Sequence, residues 1–428
     1  MSMNKNYENK NYSQSNYRRS NYERSNYNNN NNFKNETNEI DEIDELIPTD
    51  NVQLYDSFEN MDLQESLLKG IYSYGYEKPS IIQQQAIQVI NSGKDIIGQA
   101  QSGTGKTGTF SIGTLNNINT SLNRCQALFL SPTRELAIQT NNVVGNLGYY
   151  MNLKTHLCIG GTAINNDIES IKEGVHIIIG TPGRILDMIY RKIINIKHIK
   201  IFILDEADEI LSRGFINQIY DIFISLPKNI QIGIFSATMS NDIIEITNKF
   251  MKDPVKILLE NKEVTLEGIR QFYIDVENNY KFDILYDLYS IISVTQTIIY
   301  CNSRNMVNNL QDKFKQNNFP VISIHSDMNI QERKQILNEF KNGKYRILIT
   351  TDLLARGIDI QQVSLIINYD IPKDKENYIH RIGRSGRFGR KGLAINFVSK
   401  NDKYMTQKIQ EHYKTVMDEL PANFDELL

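Results

Sequence analysis

Short apolar runs rich in Ile, Val and Leu alternate with longer amphipathic stretches from about residue 85 onward. Runs of this kind are typical of parallel strands that are buried on both faces and linked by helices. In the first half of the chain, the predicted strands are DIIGQA (95–100), ALFLSPT (127–133), HIIIGTP (176–182), IKIFILDE (199–206) and IQIGIFSAT (230–238). The alternation predicts an α/β domain with a parallel sheet.

The same alternation begins again after a polar stretch near residues 259–268. The second series of predicted strands is TIIYCNS (297–303), VISIHS (321–326), RILITTD (346–352), LIINYD (365–370) and LAINFVS (393–399). A chain of 428 residues is long enough for two such domains, each with its own core. We therefore predict domains over residues 51–258 and 268–428, joined by a linker over 259–267.

Residues 1–50 differ in composition from the rest of the chain. Asn, Ser, Tyr and basic residues dominate as far as residue 38, and an acidic stretch then runs from Glu36 to Asp50. Such a segment buries too little apolar surface to offset the entropy lost on ordering, so we predict a disordered low-complexity tail and an acidic linker. Two interpretations stay open: a tail without a specific role, or auxiliary RNA binding through its Tyr and Arg side chains.

Bulk composition is that of a globular protein without a strong charge bias. Hydrophobic residues make up 40% of the chain and the formal net charge is -3, so a nucleic-acid surface would have to be local. Cys125, Cys158 and Cys301 fit neither a disulfide framework nor a zinc site, and we expect buried thiols in a reducing compartment. Because no apolar run approaches about 20 residues, we expect a cytoplasmic or nuclear protein with no membrane contact.

The strand predicted at 95–100 leads into AQSGTGKT, residues 100–107, which matches the phosphate-binding loop except that Ala100 replaces the first glycine. Gly103 and Gly105 would allow the backbone N–H groups to face phosphates. Lys106 is then expected at the β and γ phosphates, and the Thr107 hydroxyl at Mg²⁺. The loop predicts a site for ATP and Mg²⁺.

Four residues, Asp205-Glu206-Ala207-Asp208, follow the apolar run IFIL. Acids at the end of a buried strand are costly unless they hold a cation. We expect Asp205 to bind Mg²⁺ through water, and Glu206 to orient and deprotonate the attacking water. Together with Lys106, these acids predict a nucleoside triphosphatase.

A dense basic stretch, HRIGRSGRFGRKG (380–392), lies in the second half. Arg381, Arg384 and Arg387 recur at intervals of three, which predicts a helix start whose guanidinium groups point across a cleft. Arginines supplied by a second domain would make hydrolysis depend on domain closure. The alternative, an ordinary solvated basic patch, becomes weaker once the other motifs are counted.

Longer stretches make the pattern specific in combination. They are GYEKPSIIQ (75–83), AQSGTGKT, SPTREL, IGG, GTPGR, LDEADEILSRGF, FSAT, TLEGIRQFYI, ITTDLLARGIDIQQVSLIINYD and ENYIHRIGRSGRFGRKG. From about residue 50 to its end, the chain resembles the DEAD-box ATP-dependent RNA helicases, and within them the initiation factor 4A group. The resemblance implies two tandem RecA-like domains with parallel sheets that close around ATP and a single RNA strand.

The resemblance assigns roles to individual residues. Gln83 would recognise the adenine edge, Phe58 would stack on the base and Ser80 would lie in the same pocket. The implied ATP-binding set is Phe58, Ser80, Gln83, Ala100, Gln101, Ser102, Gly103, Thr104, Gly105, Lys106, Thr107 and Asp359, the last at the ribose. Residues implied to couple ATP to RNA are Asp208, Ser236, Thr238, His380 and Arg381, with Arg384 and Arg387 as arginine fingers.

The RNA path is likewise implied by the resemblance. In the first domain it would be lined by Thr133, Arg134, Gly160, Gly161, Thr181, Gly183 and Arg184, and in the second by Asn302, Arg304, Thr350 and Arg356. The sequences PTR and TPGR are loops at strand ends, with donors suited to phosphates and 2′-hydroxyls rather than to base edges. The choice of RNA over DNA comes from the resemblance alone.

The chain departs from the family pattern at three positions. Ser326 stands where the family usually has Gly, and Ile330 stands where it usually has a Gln that supports RNA contacts, so weaker RNA affinity or coupling is expected. Arg333 is present. Gly108 replaces the usual Ala just past the phosphate loop, at a cost of about 1 kcal/mol in helix propensity.

The function implied is local unwinding of RNA duplexes, with translation initiation on mRNA as the cellular role. The alternative is an ATP-locked RNA clamp in an mRNA-processing complex. The resemblance also implies a helical-repeat scaffold of the initiation-factor type as partner. We expect a monomer in the cytoplasm, with a nuclear location as the alternative.

Overall fold

A computed structural model describes residues 48–49, 52–101, 103–259, 269–291, 296–355, 363–385 and 392–421. The predicted tail, except Pro48 and Thr49, lies outside these residues. So does the predicted linker, except Leu259. The two domains on either side of that linker are described in turn.

The first domain is built around one parallel sheet. Its strands are β1 (Ile96–Gln99), β2 (Ala127–Leu130), β3 (Thr155–Cys158), β4 (Ile177–Gly180), β5 (Ile201–Asp205), β6 (Gln231–Ser236) and β7 (Val255–Leu258). Their order across the sheet is β3-β4-β2-β5-β6-β1-β7. The helices are α1 (Glu65–Tyr74), α2 (Ile81–Asn91), α3 (Lys106–Asn116), α4 (Arg134–Leu147), α5 (Ile164–Glu173), α6 (Pro182–Tyr190), α7 (Ala207–Ser212), α8 (Ile216–Ser225) and α9 (Asn241–Phe250).

The second domain repeats this architecture. Its strands are β8 (Ile269–Asp275), β9 (Gln296–Tyr300), β10 (Val321–Ile324), β11 (Ile347–Thr350), β12 (Val363–Asn368), β13 (Gly392–Val398) and β14 (Asp418–Glu419). Their order is β10-β11-β9-β12-β13-β8-β14, which is the order of the first sheet when each domain is counted from its own first strand. The helices are α10 (Lys281–Ile291), α11 (Arg304–Gln316), α12 (Ile330–Lys341), α13 (Lys375–Ile382) and α14 (Lys403–Tyr413).

Each sheet is buried on both faces, which explains why its central strands are continuous apolar runs. Along β5, Ile201 and Ile203 pack into one hydrophobic cluster and Phe202 and Leu204 into another on the opposite face. The two parallel sheets confirm the predicted fold class. All ten predicted strands are present, and the strands that were not predicted are β3, β7, β8 and β14.

The strands missed by the sequence pattern lie at or next to sheet edges. β3 and β7 end the first sheet, and β14 ends the second with β8 beside it. β3 and β7 are only partly buried, and β8 mixes polar with apolar residues as IRQFYID. Because such strands need fewer apolar residues, they do not produce the continuous runs on which the prediction depended.

Contacts between the domains place elements of the second against the carboxyl-terminal edge of the first sheet. Ile330, the first residue of α12, packs against the core cluster of the first domain. The three cysteines are buried thiols, as predicted. In the part of the chain that the structure describes, no helix is long and apolar enough to cross a membrane.

Candidate nucleotide and RNA sites

The phosphate loop lies between β1 and α3, and its backbone follows the pattern that the glycines predict. Gly103 and Gly105 have φ values of 90° and 100°, a region that glycine adopts without strain, and Gly105 is the N-cap of α3. The Lys106 ammonium is buried and donates hydrogen bonds to the carbonyls of Ala100 (2.7 Å) and Gln101 (3.2 Å). A cation at a helix N-terminus of this shape favours a bound phosphate. Ser102 lies outside the described residues.

Two buried carboxylates face this loop from the end of β5. Asp205 and Glu206 are 1% and 4% exposed, and Glu206 Oε1 lies 3.8 Å from Lys106 Nζ. Among the described residues, Asp205 Oδ2 and Glu206 Oε2 have no hydrogen-bond partner. Burial, and then the charge of Glu206, raise the pKa of Asp205 well above its usual range. Uncompensated buried oxygens of this kind fit a cation bound at the site.

The donor set suits Mg²⁺ held jointly with a nucleotide rather than a metal held by the protein alone. Within the described residues, no group of three His, Cys, Asp or Glu side chains is placed to hold a metal ion. Mg²⁺ is commonly bound by one or two carboxylates, with water and substrate phosphates completing the coordination. The residues predicted to take part are the buried Asp205 and the half-buried Thr107 in the first turn of α3.

The expected adenine pocket forms where α2 meets the phosphate loop. Gln83 Oε1 accepts a hydrogen bond from the Ser80 backbone N–H at 2.8 Å, and Gln83 Nε2 donates to the Gly105 carbonyl at 3.5 Å. The Ser80 side chain faces the Gln83 backbone N–H in return, so the two residues form a capping box at the start of α2. Gln83 and Ser80 therefore lie together beside the loop, as the sequence predicted.

Phe58 does not have the role that the sequence suggested. Its ring is fully buried in the core of the first domain, so it presents no face to a base. The half-buried Tyr76 stacks on Phe58, with ring centroids 6.5 Å apart and an interplanar angle of 21°. Tyr76 thus lies between Phe58 and the Gln83 pocket, and Phe58 supports it from behind. The sequence signal was available, because Tyr76 lies within GYEKPSIIQ.

The residues predicted to couple the nucleotide site to the RNA site form one connected group, except Arg381. Thr238 donates its hydroxyl hydrogen to Asp208 Oδ2 at 2.8 Å, and the Asp208 N–H donates to the Ser236 hydroxyl at 3.3 Å. From the second domain, His380 Nε2 lies 3.5 Å from the same Asp208 oxygen. The acidic motif of the nucleotide site thus contacts the arginine motif across the domain boundary.

A hollow of about 480 Å³, here called the arginine cleft, opens between the domains. It is lined by Pro132, Thr133, Arg134, Glu135, Gly160, Thr181, Gly183, Arg184, Asp187, Arg213, Phe215, Ser326, Arg333 and Leu353. All the predicted RNA-binding residues of the first domain except Gly161 line it, and the Arg134 guanidinium lies 3.0 Å from where a Cβ on Gly161 would stand. The structure therefore brings together a set that is spread over some 50 residues of sequence.

Like charges are crowded in the arginine cleft. Burial, and then the neighbouring Arg333, lower the pKa of Arg134, and Arg184 acts in the same direction. Thr133 and Thr181 are the N-caps of α4 and α6, so two helix N-termini also point their positive ends here. A cleft that concentrates positive charge in this way suits a polyanionic strand.

Two contacts from α12 fasten the second domain to this cleft. Arg333 NH1 pairs with Glu135 Oε1 at 2.8 Å, with both side chains almost completely buried. Ile330 Cδ1 lies 3.0 Å from where a Cβ on Gly161 would stand. The residue that replaces the family's usual Gln therefore makes an apolar contact with the glycine turn.

Comparison with known proteins gives the same assignment for both halves of the chain. The profile of the DEAD/DEAH box helicase family matches residues 80–246, and that of the helicase conserved C-terminal domain matches residues 280–389. Eukaryotic initiation factor 4A of Drosophila melanogaster is 53% identical over 377 residues, which cover 88% of this chain and 94% of the relative. The chain belongs to the DEAD-box family of ATP-dependent RNA helicases.

Two further relatives of this DEAD-box helicase extend the comparison. The ATP-dependent RNA helicase FAL1 of Scheffersomyces stipitis is also 53% identical, over 89% of this chain and 96% of its own length. The structure of S. cerevisiae Dbp5 bound to RNA and ADP BeF3 matches with a TM-score of 0.81 and 37% identity, covering 87% of this chain and 98% of that one. Such a score over both domains means that they are arranged here as in that complex.

Several residues of the second domain are not placed as the family resemblance led us to expect. Thr350 is fully buried in this DEAD-box helicase, and its hydroxyl donates to the Ile324 carbonyl at 3.0 Å, so it does not line the arginine cleft. Asn302 is exposed, but its side chain donates to the Ile371 carbonyl at 2.7 Å and accepts from Arg381 at 2.9 Å. Arg304 is exposed and pairs with Asp327.

Arg381 is the exception among the predicted coupling residues. Its guanidinium is completely buried in the second domain, where it bonds Asp352, Asn302 and the Asp370 carbonyl. It therefore acts inside the second domain rather than across the boundary. The motif groups Arg381 with Arg384 and Arg387, and sequence alone does not show which of the three is buried within the domain.

The predicted arginine helix also differs in detail. α13 ends at Ile382, so Arg381 lies at its carboxyl end and Arg384 lies beyond it, not at a helix start. Arg384 is buried, and its Nε donates to the His380 carbonyl at 3.2 Å. Arg356, Asp359 and Arg387 lie outside the described residues, so their predicted roles stay predictions.

Proposed function

We propose that the chain is an RNA-stimulated ATPase that locally unwinds RNA duplexes. The observation that carries this proposal is the buried contact of Asp208 with Thr238 and Ser236 on one side and with His380 on the other. This contact joins the acidic motif beside the nucleotide site to the motif of the second domain. It exists only when the domains are closed, so closure by RNA and assembly of the ATPase site become the same event.

In this proposal each residue of the nucleotide site has one task. Lys106 holds the β and γ phosphates, and Glu206 orients the attacking water and takes its proton. Asp205 and Thr107 hold Mg²⁺, which when bound neutralises charge on the phosphates. Arg384 and Arg387 add positive charge from the second domain at the γ phosphate. Asp205 and Glu206 support these roles because they are buried beside Lys106 with one oxygen each left unpartnered.

The arginine cleft supports RNA binding through the backbone rather than through base edges. Arg134 supplies positive charge, Arg184 and Arg333 line the cleft while paired with Asp167 and Glu135, and the N-termini of α4 and α6 supply backbone donors. Such contacts give little sequence preference and strong salt dependence. A single strand bent in the closed cleft could not stay paired, and hydrolysis with phosphate release would reopen the domains.

The decisive test is ATP hydrolysis by the full chain alone, with single-stranded RNA and with single-stranded DNA. RNA should stimulate hydrolysis, and Glu206→Gln should reduce the stimulated rate by at least about a hundredfold, because the general base is lost. Binding of ADP by the variant controls for misfolding. Equal stimulation by DNA, or none by RNA while ATP still binds, would overturn the proposal.

For the cellular role we propose translation initiation on mRNA, in the cytoplasm, as a monomer that binds a helical-repeat scaffold. The support is the identity of 53% to a relative named eukaryotic initiation factor 4A over 94% of its length. Depleting the chain from a cell-free extract of its own organism should reduce cap-dependent translation, and adding it back should restore it. Restoration by the Glu206→Gln variant would count against the role.

The competing proposal is an ATP-locked RNA clamp. It is favoured by two contacts of α12, the buried pair of Arg333 with Glu135 and the apolar contact of the half-buried Ile330 with the exposed Gly161, because both stabilise the closed arrangement. RNA dwell time measured with ATP separates the two roles. Release on the time scale of one hydrolysis cycle fits unwinding, whereas a complex that outlasts many cycles fits a clamp. Ile330→Gln should shorten the dwell time in either case.

A further inference from the structure

Gly108 lies in the first turn of α3, and the space of its missing side chain is filled by two other residues. An ideal Cβ at Gly108 would lie 2.8 Å from the Tyr76 hydroxyl oxygen, 2.8 Å from Gln83 Nε2 and 3.1 Å from Tyr76 Cε2. Atoms that are not bonded pack best at about 3.5–4.0 Å. Alanine at this position would therefore displace Tyr76, Gln83 or both.

The fold leaves Tyr76 little room to retreat. Gly75 ends α1 with φ at 97°, and the Tyr76 N–H donates to the Ile71 carbonyl at 3.2 Å, which fixes the backbone. One face of the ring stacks on the fully buried Phe58, and Tyr74 packs edge-on with centroids 5.0 Å apart. Because the core lies behind the ring, displacement has to be towards the nucleotide pocket.

Gln83 is confined in the same way. Its Oε1 is taken by the Ser80 N–H at 2.8 Å, which sets the orientation of the amide. Its Nε2 points into the narrow space between two glycines, since a Cβ on Gly105 would stand 2.9 Å away and one on Gly108 2.8 Å away. A methyl group at either position would shift the amide that is expected to recognise the adenine.

We propose that Gly108 is a specificity-determining residue of the nucleotide site, which acts by admitting the Tyr76 hydroxyl beside the Gln83 amide. Gly108 and Tyr76 form a size-matched pair that sets where the aromatic ring and the amide face the base. The inference rests on the proposed function in that it requires ATP to bind at this pocket. It also explains a glycine inside a helix, where propensity alone favours alanine.

A double-mutant cycle on the full chain tests the pair. We expect Gly108→Ala to weaken ADP binding by about tenfold and to lower the preference for ATP over GTP, with the change falling on KM rather than on kcat. Tyr76→Phe removes the hydroxyl that the methyl group would meet. The double variant should therefore recover part of the lost affinity, because the contact with the Tyr76 hydroxyl is gone while those with Gln83 Nε2 (2.8 Å) and Tyr76 Cε2 (3.1 Å) remain. ADP and GDP affinities by calorimetry, and ATP and GTP kinetics with saturating RNA, give these values.

Gly145→Ala is the matched control, because Gly145 lies in α4 and a Cβ there would meet nothing within 4 Å. It should raise the melting temperature and leave ADP affinity unchanged. Additive effects in the cycle, or a Gly108→Ala variant that behaves like Gly145→Ala, would overturn the pairing. If the wild-type chain bound no adenine nucleotide, the proposed function would fail instead. Melting temperatures would still test the Gly108–Tyr76 pair, because the double variant should melt at a higher temperature than Gly108→Ala alone.

Discussion

At the end of β2 in the first domain and of β9 in the second, the chain makes the same turn into a helix. The Thr133 hydroxyl accepts from the Leu136 N–H at 3.2 Å, and the Ser303 hydroxyl accepts from the Met306 N–H at 3.2 Å. An arginine follows each cap. Arg134 is half-buried among other arginines of the cleft, whereas Arg304 is 53% exposed and pairs with Asp327.

The difference continues along the strand ends of the two sheets. In the first domain, polar groups at these ends are left for ligands, as with Asp205 and Glu206. In the second, Thr350 and Arg381 are buried within the domain itself. Repetition of a fold therefore does not repeat its chemistry: among the described residues, the first domain presents most of the binding groups, and the second uses several of the matching polar groups in its own hydrogen bonds.

The largest expected effect is on the free energy of unfolding of the second domain. Arg381→Ala would remove the hydrogen bonds of a fully buried guanidinium to Asp352, Asn302 and the Asp370 carbonyl, and hydrogen bonds to a charged group are worth about 1.5–3 kcal/mol each. Urea unfolding should show this loss in the transition of the second domain. Arg304→Ala, at an exposed pair, should change the free energy of unfolding by less than about 1 kcal/mol. Equal losses of stability from the two substitutions would mean that the buried arginine stabilises the second domain no more than the exposed one.

Substitution of Arg134 should have the opposite effect to that of Arg381: RNA affinity should fall, and the free energy of unfolding should stay nearly unchanged. Arg134→Ala is expected to weaken RNA affinity by roughly 10- to 100-fold, the range for a charge-assisted hydrogen bond, and to reduce the salt slope by about one. Arg304→Ala should weaken it far less. Titration of labelled single-stranded RNA at several salt concentrations measures both quantities. A slope unchanged by Arg134→Ala would mean that this guanidinium does not meet a phosphate.

The sequence predicts the fold and the first-domain site well, because in these regions local pattern and tertiary role coincide. Apolar runs mark strands buried on both faces, and strand ends carry the phosphate loop, the acidic motif and the PTR and TPGR turns. Thr350, Arg381 and Phe58 escaped correct assignment because a motif gives residue type but not orientation. A threonine at a strand end faces the cleft or the core according to its neighbours, and only packing decides.

A smaller effect is expected at Asp205, which should lower the stability of the folded chain as pH rises, whereas most paired carboxylates raise it. Its folded pKa lies above the ordinary 3.8, so the folded chain binds the extra proton and stability falls as pH rises above about 4. Asp205→Asn removes this penalty and should raise the melting temperature by a few degrees at pH 8, and by less at pH 5, while ATPase activity is lost. Asp275→Asn, at an exposed pair with Lys403, is the control and should change the melting temperature little.

The smallest effect tests whether the second domain uses Thr350 for RNA at all. Thr350→Val keeps the shape but removes the hydrogen bond to the Ile324 carbonyl, which should cost about 1 kcal/mol of stability. RNA affinity should be unchanged, because the hydroxyl is buried away from the cleft. Thr351→Val, one residue on and half-buried, removes the hydroxyl that caps the short helix Asp352–Leu354 and should also cost about 1 kcal/mol, so it controls for a loss of stability alone. Loss of RNA affinity in Thr350→Val at full stability would mean that the hydroxyl turns outward on binding, and that the second domain is less rigid than its buried network implies.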